Sequence, residues 1–156
     1  ENAKRLLSQQ LRLHDLELFD PLPSNDFNGQ RLCLMLSLIH ASDAAEIACN
    51  RDPILLRREL CKWLRIRTNF NNISAWLPPE LQDYNRWKCH LSQFTHPRPP
   101  MCREWFLIAF AHLYDCRIRL FVSNLSQPQD FLPEPFWFLD QYNLFQEFRF
   151  SPDLSA

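Results

Sequence analysis

The sequence predicts a single α+β domain in which helices come first and strands come later. Apolar residues recur at helical spacing through most of the chain, whereas residues 117–122 alternate apolar and polar side chains as a strand does. The 156 residues are 46% apolar, with 13 Phe and 5 Trp, which is enough for one aromatic core. Helices followed by strands are typical of α+β folds with a small antiparallel or mixed sheet.

The first part of the chain predicts two helices. Residues 3–13 place three leucines on one stripe and run into a proline-containing turn at residues 21–24. Residues 31–40 form a strongly apolar central helix. A single glycine, Gly29, precedes this helix.

A third helix is predicted from Pro53 to about residue 65. Asp52 can cap its first amides, and proline fits the first helical position because its missing N–H has no partner there. Four apolar side chains recur at helical spacing and define the buried stripe: Leu56, Leu60, Trp63 and Leu64. The three basic residues Arg57, Arg58 and Lys62 lie off that stripe.

Residues 66–100 are expected to be mixed and loop-rich, with a short helix starting at the two prolines 78–79 and a proline-rich loop at 96–100. This region is rich in large apolar side chains: Trp76, Leu77, Tyr84, Trp87 and Phe94. Such residues either form an exposed binding surface or cover a core beneath a long loop, and we favour the core.

The last third of the chain predicts one helix and three strands. Residues 101–114 are apolar nearly all round, so this helix should be buried. Residues 117–122 alternate as a strand, and residues 123–135 are rich in turn-forming residues. Residues 136–139 and 145–150 are the two further strand candidates.

The run at residues 28–37 resembles the nucleophile motif of the OTU (ovarian tumour) family of cysteine proteases, commonly Asp-Gly-Asn-Cys-Leu-Phe-Arg-Ala-Leu-Ser. Aligned without gaps, four positions match: Gly29, Leu32, Leu36 and Ser37. Arg31 falls on the cysteine of the motif, and arginine keeps its proton at any physiological pH, so it cannot be a nucleophile.

Two later segments extend the resemblance. Residues 55–64 are similar to the amphipathic helix that follows the nucleophile helix in OTU domains, and residues 107–121 are similar to the family's helix-then-strand pattern. The matches span roughly residues 26–150. They imply an OTU-like, papain-like fold in which helices pack on a small, mostly antiparallel or mixed sheet.

The resemblance also implies a general-base histidine near the C-terminus, on a strand and followed by an aromatic residue. No histidine follows His112, and Glu147 or Arg149 stands at the expected position instead. A Cys–His enzyme needs an imidazole to accept the thiol proton and return it to the leaving group. Both catalytic groups are therefore replaced, which implies an inactive member of the family.

Arg31 and Glu147 could form an ion pair where the catalytic dyad of the family stands, since a cation at a helix start is otherwise unfavourable. The alternative is that both side chains are solvated and do not contact each other, which is more common for charges at a protein surface.

A shift of the alignment by two residues places Cys33 on the motif cysteine and rescues a nucleophile. That alignment loses Gly29 from the turn, so we favour a Cys33 that packs in the core as a small hydrophobic residue.

Composition limits the partners. Lys plus Arg number 17 and Asp plus Glu 18, so no basic surplus indicates nucleic-acid binding. We expect neither a signal peptide nor a membrane segment, since the given sequence has no apolar run of membrane length. With six cysteines expected to be reduced, we predict an intracellular protein, cytoplasmic or nuclear.

Because the sequence begins at Glu1, we expect it to be a fragment of a longer protein.

No cofactor or metal is predicted. Four candidate zinc ligands, Cys89, His90, His96 and Cys102, match no established zinc spacing, because adjacent Cys and His side chains rarely close a tetrahedral site.

These observations predict a catalytically inactive OTU-like domain that serves as a protein-interaction or scaffold module. Its partner is left open between ubiquitin, a ubiquitin-like protein and a second copy of the chain. One alternative is an active OTU-type deubiquitinase that uses Cys33 as its nucleophile. The other is a structural domain with no role related to ubiquitin.

Overall fold

The computed structural model of the protein describes residues 2–16, 31–121 and 128–133. The predicted strands at 136–139 and 145–150 lie outside the described residues, as do Gly29, Glu147 and Arg149. The proposed pairing of Arg31 with Glu147 therefore stays a prediction.

The described residues form six α-helices and one antiparallel pair of strands, which is consistent with the predicted α+β class. The helices are α1 (Asn2–Arg12), α2 (Cys33–Ala44), α3 (Pro53–Arg65), α4 (Arg67–Ile73), α5 (Tyr84–Ser92) and α6 (Trp105–Leu113). Short 3₁₀ helices lie at Ser74–Trp76, Pro79–Leu81 and Gln93–Thr95, and the strands are β1 (Ile118–Leu120) and β2 (Gln129–Phe131). None of the helices in the described ranges is long and apolar enough to cross a membrane.

Helix α3 forms as predicted and is the central element of the packing. Asp52 caps it, with its Oδ1 accepting the N–H groups of Ile54 and Leu55 at 2.9 and 3.3 Å. Three leucines of the predicted stripe are fully buried: Leu56, Leu60 and Leu64. Trp63, the fourth member, is only partly buried at the edge of the core.

The core is aromatic and lies between α3, α5 and α6. Trp87 is fully buried and donates its indole N–H to the Leu64 carbonyl at 2.7 Å, so its one polar atom is satisfied. Its ring meets that of Trp105 edge-on, with centroids 5.7 Å apart. Helix α6 is buried from Trp105 to Ala111, as its all-round apolar sequence predicts.

The expectation of a loop-rich segment at 66–100 is wrong for two stretches, which form α4 and α5. Asp83 starts α5 by accepting the Arg86 N–H at 3.1 Å, a cap that short polar helices depend on. The preference for a core role is confirmed for four of the apolar residues there, since Trp76, Leu77, Trp87 and Phe94 are buried.

The short strand β2 lies in the segment predicted to be turns, and it pairs with the predicted strand β1. In the register, Ile118 is opposite Phe131 and Leu120 is opposite Gln129. Asp130 accepts hydrogen bonds from the side chains of both Arg117 and Arg119, which fixes the two strands together. Strand β2 has only three residues, two of them polar, so its alternation is too short to predict a strand from the sequence.

Three helices end in a left-handed residue that is acidic rather than glycine. Asp15, Glu46 and Asp115 have φ of 58°, 58° and 49° and follow α1, α2 and α6. In each case the next residue ends the helix by donating its N–H to the backbone carbonyl of the residue five positions earlier. These bonds run from Leu16 to Leu11, from Ile47 to Ser42 and from Cys116 to Ala111, at 2.9, 2.8 and 3.0 Å.

Candidate functional site

The candidate site lies at the start of α2, where the sequence resemblance places a nucleophile. Arg31 is exposed and has a φ of 52°. A left-handed conformation costs a non-glycine residue on the order of 1 kcal/mol. Unlike the other three left-handed residues, Arg31 precedes a helix instead of ending one. Leu32 follows as the N-cap of α2; it is buried, and its carbonyl accepts the Leu36 N–H at 2.9 Å.

Cys33 is the first residue of α2, and its side chain is exposed. The expectation of a packed core cysteine is therefore wrong. The reason is the helical rotation: α2 buries the face that carries Met35 and Leu38, and Cys33 and Ser37 fall on the opposite face.

Cys33 opens into a cavity of about 220 Å³, which we call the α2 cavity. It lies between α2, the segment before α6 and β1. Its described lining residues are Cys33, Leu34, Ser37, Met101, Cys102, Arg103, Glu104, Leu107 and Leu120.

The two charged residues of the α2 cavity lie against each other. Glu104 is buried, and its Oε2 is 3.5 Å from the Nε of Arg103, an ion-pair distance longer than an ordinary hydrogen bond. Burial raises the pKa of Glu104, while the positive charge of Arg103 acts in the opposite direction. The formal charges of the pair cancel, so the cavity carries no net charge from them.

Cys102 lies in the same cavity and is unsuited to act as a nucleophile. It is buried, and that burial raises the pKa of its thiol to about 12. Cys61 behaves in the same way, with burial raising its pKa to about 12 despite the nearby charge of Arg57. Only a thiolate attacks readily, so both thiols are inert at neutral pH.

All five histidines of the chain lie among the described residues, and none of them lines the α2 cavity. His40 is seven positions beyond Cys33 on α2, which separates their Cα atoms by about 10 Å along the axis. His90 stacks on Trp87 in the core, with ring centroids 6.0 Å apart. His112 contacts the Ile108 carbonyl oxygen through Nδ1 at 3.0 Å. The described lining of the α2 cavity therefore holds no imidazole beside Cys33.

The candidate zinc ligands do not come together as a set. Cys89 is exposed on α5, His90 packs among aromatic rings, and Cys102 is buried in the α2 cavity. Across the described ranges, no group of three or more His, Cys, Asp or Glu side chains could hold a metal ion.

Sequence reasoning found Arg31 and Cys33 but missed Arg103 and Glu104. The available signal was their position directly before a buried helix, where a carboxylate is favoured by the helix dipole, although the Glu104 side chain makes no capping hydrogen bond to α6. No protein-family model, curated protein or solved structure matches the chain.

Proposed function

We propose that the chain is a catalytically inactive OTU-like domain that binds ubiquitin or a ubiquitin-like protein through the surface at the start of α2. One observation supports the proposed inactivity: the exposed Cys33 opens into a cavity that none of the five histidines lines. The remaining proton acceptor, Glu104, is a carboxylate paired with Arg103. Burial raises the pKa of Glu104 and so favours its protonated form, which cannot accept a proton from a thiol.

Arg31 supports the binding part of the proposal. Its permanent charge is exposed two positions before Cys33 in the chain, on a backbone conformation that costs free energy. Strained residues of this kind tend to lie at functional sites. Arginine is also enriched among the residues that dominate protein interfaces, because its planar group makes several directed hydrogen bonds.

Binding of ubiquitin is tested by adding the protein to ¹⁵N-labelled ubiquitin and following the amide resonances by NMR. We expect saturable shifts confined to one face of ubiquitin. Arg31→Gly should weaken binding about tenfold, a typical loss for a charged hot-spot residue, while raising the free energy of unfolding by about 1 kcal/mol.

The matched control is Glu46→Gly, which relieves the same left-handed conformation at the other end of α2, where φ is 58°. It should stabilise the protein to a similar degree and leave ubiquitin binding unchanged. Absence of shifts, or equal affinity for wild type and Arg31→Gly, would overturn the proposal and favour a purely structural domain.

The exposure of Cys33 in a cavity favours one second candidate, an OTU-type deubiquitinase that uses this thiol. It requires a base from outside the strand on which the family carries its histidine. Hydrolysis of a ubiquitin–fluorophore amide by wild type, lost in Cys33→Ala, would establish it.

A further inference from the structure

A basic surface patch lies where α3 ends and α4 begins, against the first turns of α5, and we call it the Tyr84 patch. Its members are Arg65, Ile66, Arg67, Tyr84 and Lys88. Arg65 is the last residue of α3 and Arg67 the first of α4, while Tyr84 and Lys88 lie on α5. The patch is therefore built from three helices.

Tyr84 holds these residues together. Its hydroxyl donates a hydrogen bond to the Arg65 carbonyl at 2.7 Å, which ties α5 to the end of α3. The guanidinium carbon of Arg67 lies 4.5 Å from the centre of the Tyr84 ring, and the Nζ of Lys88 lies 4.8 Å from it. Lys88 reaches the ring because residues four apart share one face of a helix. Cation–π contacts of this length are attractive, so both cations are positioned before a partner binds.

The charges of Arg67 and Lys88 are close together. Both contact one ring, so they are separated by about 9 Å at most, which is within one Debye length at ordinary salt. In the part of the chain that the structure describes, neither of them lies within ion-pair distance of a carboxylate. Asp83, the acid next to Tyr84 in the chain, caps α5 by accepting the Arg86 N–H at 3.1 Å. An anionic group that contacts the patch is therefore attracted by both cations.

Arg67 does not favour the helix that it begins. A cation at a helix N-terminus lies at the positive end of the helix dipole, and the first turn of α4 contains no acidic residue. Arg65 and Arg67 are nevertheless both exposed, and Ile66 between them is 50% exposed. Local rules of this kind are broken most often at functional sites. These residues are therefore better explained by binding than by folding.

The patch suits an acidic peptide better than a nucleic acid. The Tyr84 ring carries the two cations and lies 5.2 Å from the Phe70 ring, so it is not free to stack on a base as single-stranded nucleic acids require. Basic and acidic residues number 17 and 18 over the chain, which provides no basic surplus for a nucleic-acid backbone. Ile66 adds an apolar contact next to the charges, which an apolar side chain of a peptide can cover.

We propose that the Tyr84 patch binds a short acidic segment of a partner protein, in which carboxylates pair with Arg67 and Lys88 and an apolar side chain between them packs on Ile66. Arginine binds a carboxylate through paired N–H donors, and lysine binds one through a point charge on a flexible stem. This surface shares no residue with the start of α2. Either this proposal or the ubiquitin-binding proposal can therefore fail without the other.

Fluorescence anisotropy with three labelled probes tests the patch. The first probe is a short peptide with glutamates on both sides of a leucine, the second has glutamine in place of every glutamate, and the third is an oligothymidylate of the same length. We expect saturable binding of the acidic peptide, no measurable binding of the glutamine peptide, and weaker binding of the oligothymidylate. Binding of the acidic peptide should weaken as salt is raised, because the attraction between exposed charges is screened.

The decisive variants are Arg67→Gln and Lys88→Gln. Each should weaken binding of the acidic peptide about fivefold, the loss expected for one exposed ion pair, and the double variant should lose more than either. Ile66→Ser should also weaken binding although it changes no charge, because it removes the apolar contact. Arg98→Gln is the matched control, an equal change of charge at an exposed loop position outside the patch, and it should bind as wild type does.

Any one of five results would overturn the proposal. They are no saturable binding of the acidic peptide at millimolar concentration, equal binding of the glutamine peptide, tighter binding of the oligothymidylate, an undiminished affinity in the double variant or in Ile66→Ser, and an equal loss in Arg98→Gln.

Discussion

The two cavities differ in how their charged groups are arranged. In the α2 cavity, one arginine and one glutamate lie 3.5 Å apart and cancel. A cavity of about 310 Å³ between α3 and the 3₁₀ helix Gln93–Thr95, here called the α3 cavity, has Arg57, Arg58, Cys61 and His96 in its lining. Its charged lining residues are all basic, and the described lining holds no acid. The sequence resemblance points to the first cavity, whereas the described lining of the second carries the larger basic charge. Likeness to a motif and the charge of a cavity are therefore separate properties of this molecule.

The largest expected difference between the cavities is in thiol reactivity. Burial raises the pKa of Cys61, in the α3 cavity, from 9.0 to about 12, whereas Cys33 is exposed in the α2 cavity. A rise of this size lowers the thiolate fraction on the order of a thousandfold. Iodoacetamide labelling at pH 7.5, mapped by peptide mass spectrometry, should modify Cys33 long before Cys61.

Cys89 serves as the internal control for that measurement, because it is exposed and belongs to neither cavity lining. It should be labelled readily. Modification of Cys61 in native protein at a rate comparable to Cys89 would show that the α3 cavity is more open than described.

The next largest effect is expected on the free energy of unfolding, when a buried leucine of α3 is shortened to alanine. Leu60 is fully buried on the helix that carries Arg57 and Arg58. Leu60→Ala should lower the free energy of unfolding by about 2–5 kcal/mol, because it removes buried methyl groups and leaves a void. Urea denaturation followed by circular dichroism measures the loss.

Leu55→Ala makes the same chemical change on the same helix, at a position that is 42% exposed. Its effect should stay within about 0.5 kcal/mol. Equal losses in the two variants would contradict the described orientation of α3 and with it the assignment of Arg57 to the cavity.

The smallest expected effect concerns the acid of the α2 cavity. Burial raises the pKa of Glu104, so the folded state keeps its proton at a pH where the unfolded chain has released it. The folded state is then favoured at low pH, and stability falls as pH rises from the ordinary glutamate value of 4.5 through the raised one. Glu104→Gln should abolish this fall, which urea denaturation between pH 4.5 and 7 would detect.

Glu80→Gln, at an exposed position in the 3₁₀ helix Pro79–Leu81, should keep the wild-type pH profile. If Glu104→Gln and wild type have parallel profiles, burial does not control the ionisation of Glu104, and the pairing with Arg103 dominates instead.

Much of the fold could be predicted where one local signal was strong. Asp52 and Pro53 mark the start of α3, and the all-round apolar sequence of α6 predicts its burial. Helices α4 and α5 were missed because they are only 7 and 9 residues long and carry many polar side chains. Over so few residues the helical period is hard to separate from a mixed loop.

The sites were harder to predict than the helices. The apolar sequence of α2 does not reveal which face is buried, so the exposure of Cys33 could not be foreseen. Arg57 lies off the leucine stripe of α3 and is nevertheless buried, since the 3₁₀ helix Gln93–Thr95 packs against α3. Burial of that kind depends on a contact between segments far apart in the chain, and no local pattern encodes it.

We propose that Arg31 occupies the vacated nucleophile position of an inactive domain and that the nearby Cys33 does not replace the lost nucleophile. The most direct test of this claim is intact-mass analysis after incubation with ubiquitin that bears a thiol-reactive electrophile at its C-terminus, with Cys33→Ala as the control. We expect no ubiquitin adduct on wild type under conditions that fully modify an active OTU protease. A wild-type adduct that disappears in Cys33→Ala would contradict the claim and establish Cys33 as a working nucleophile.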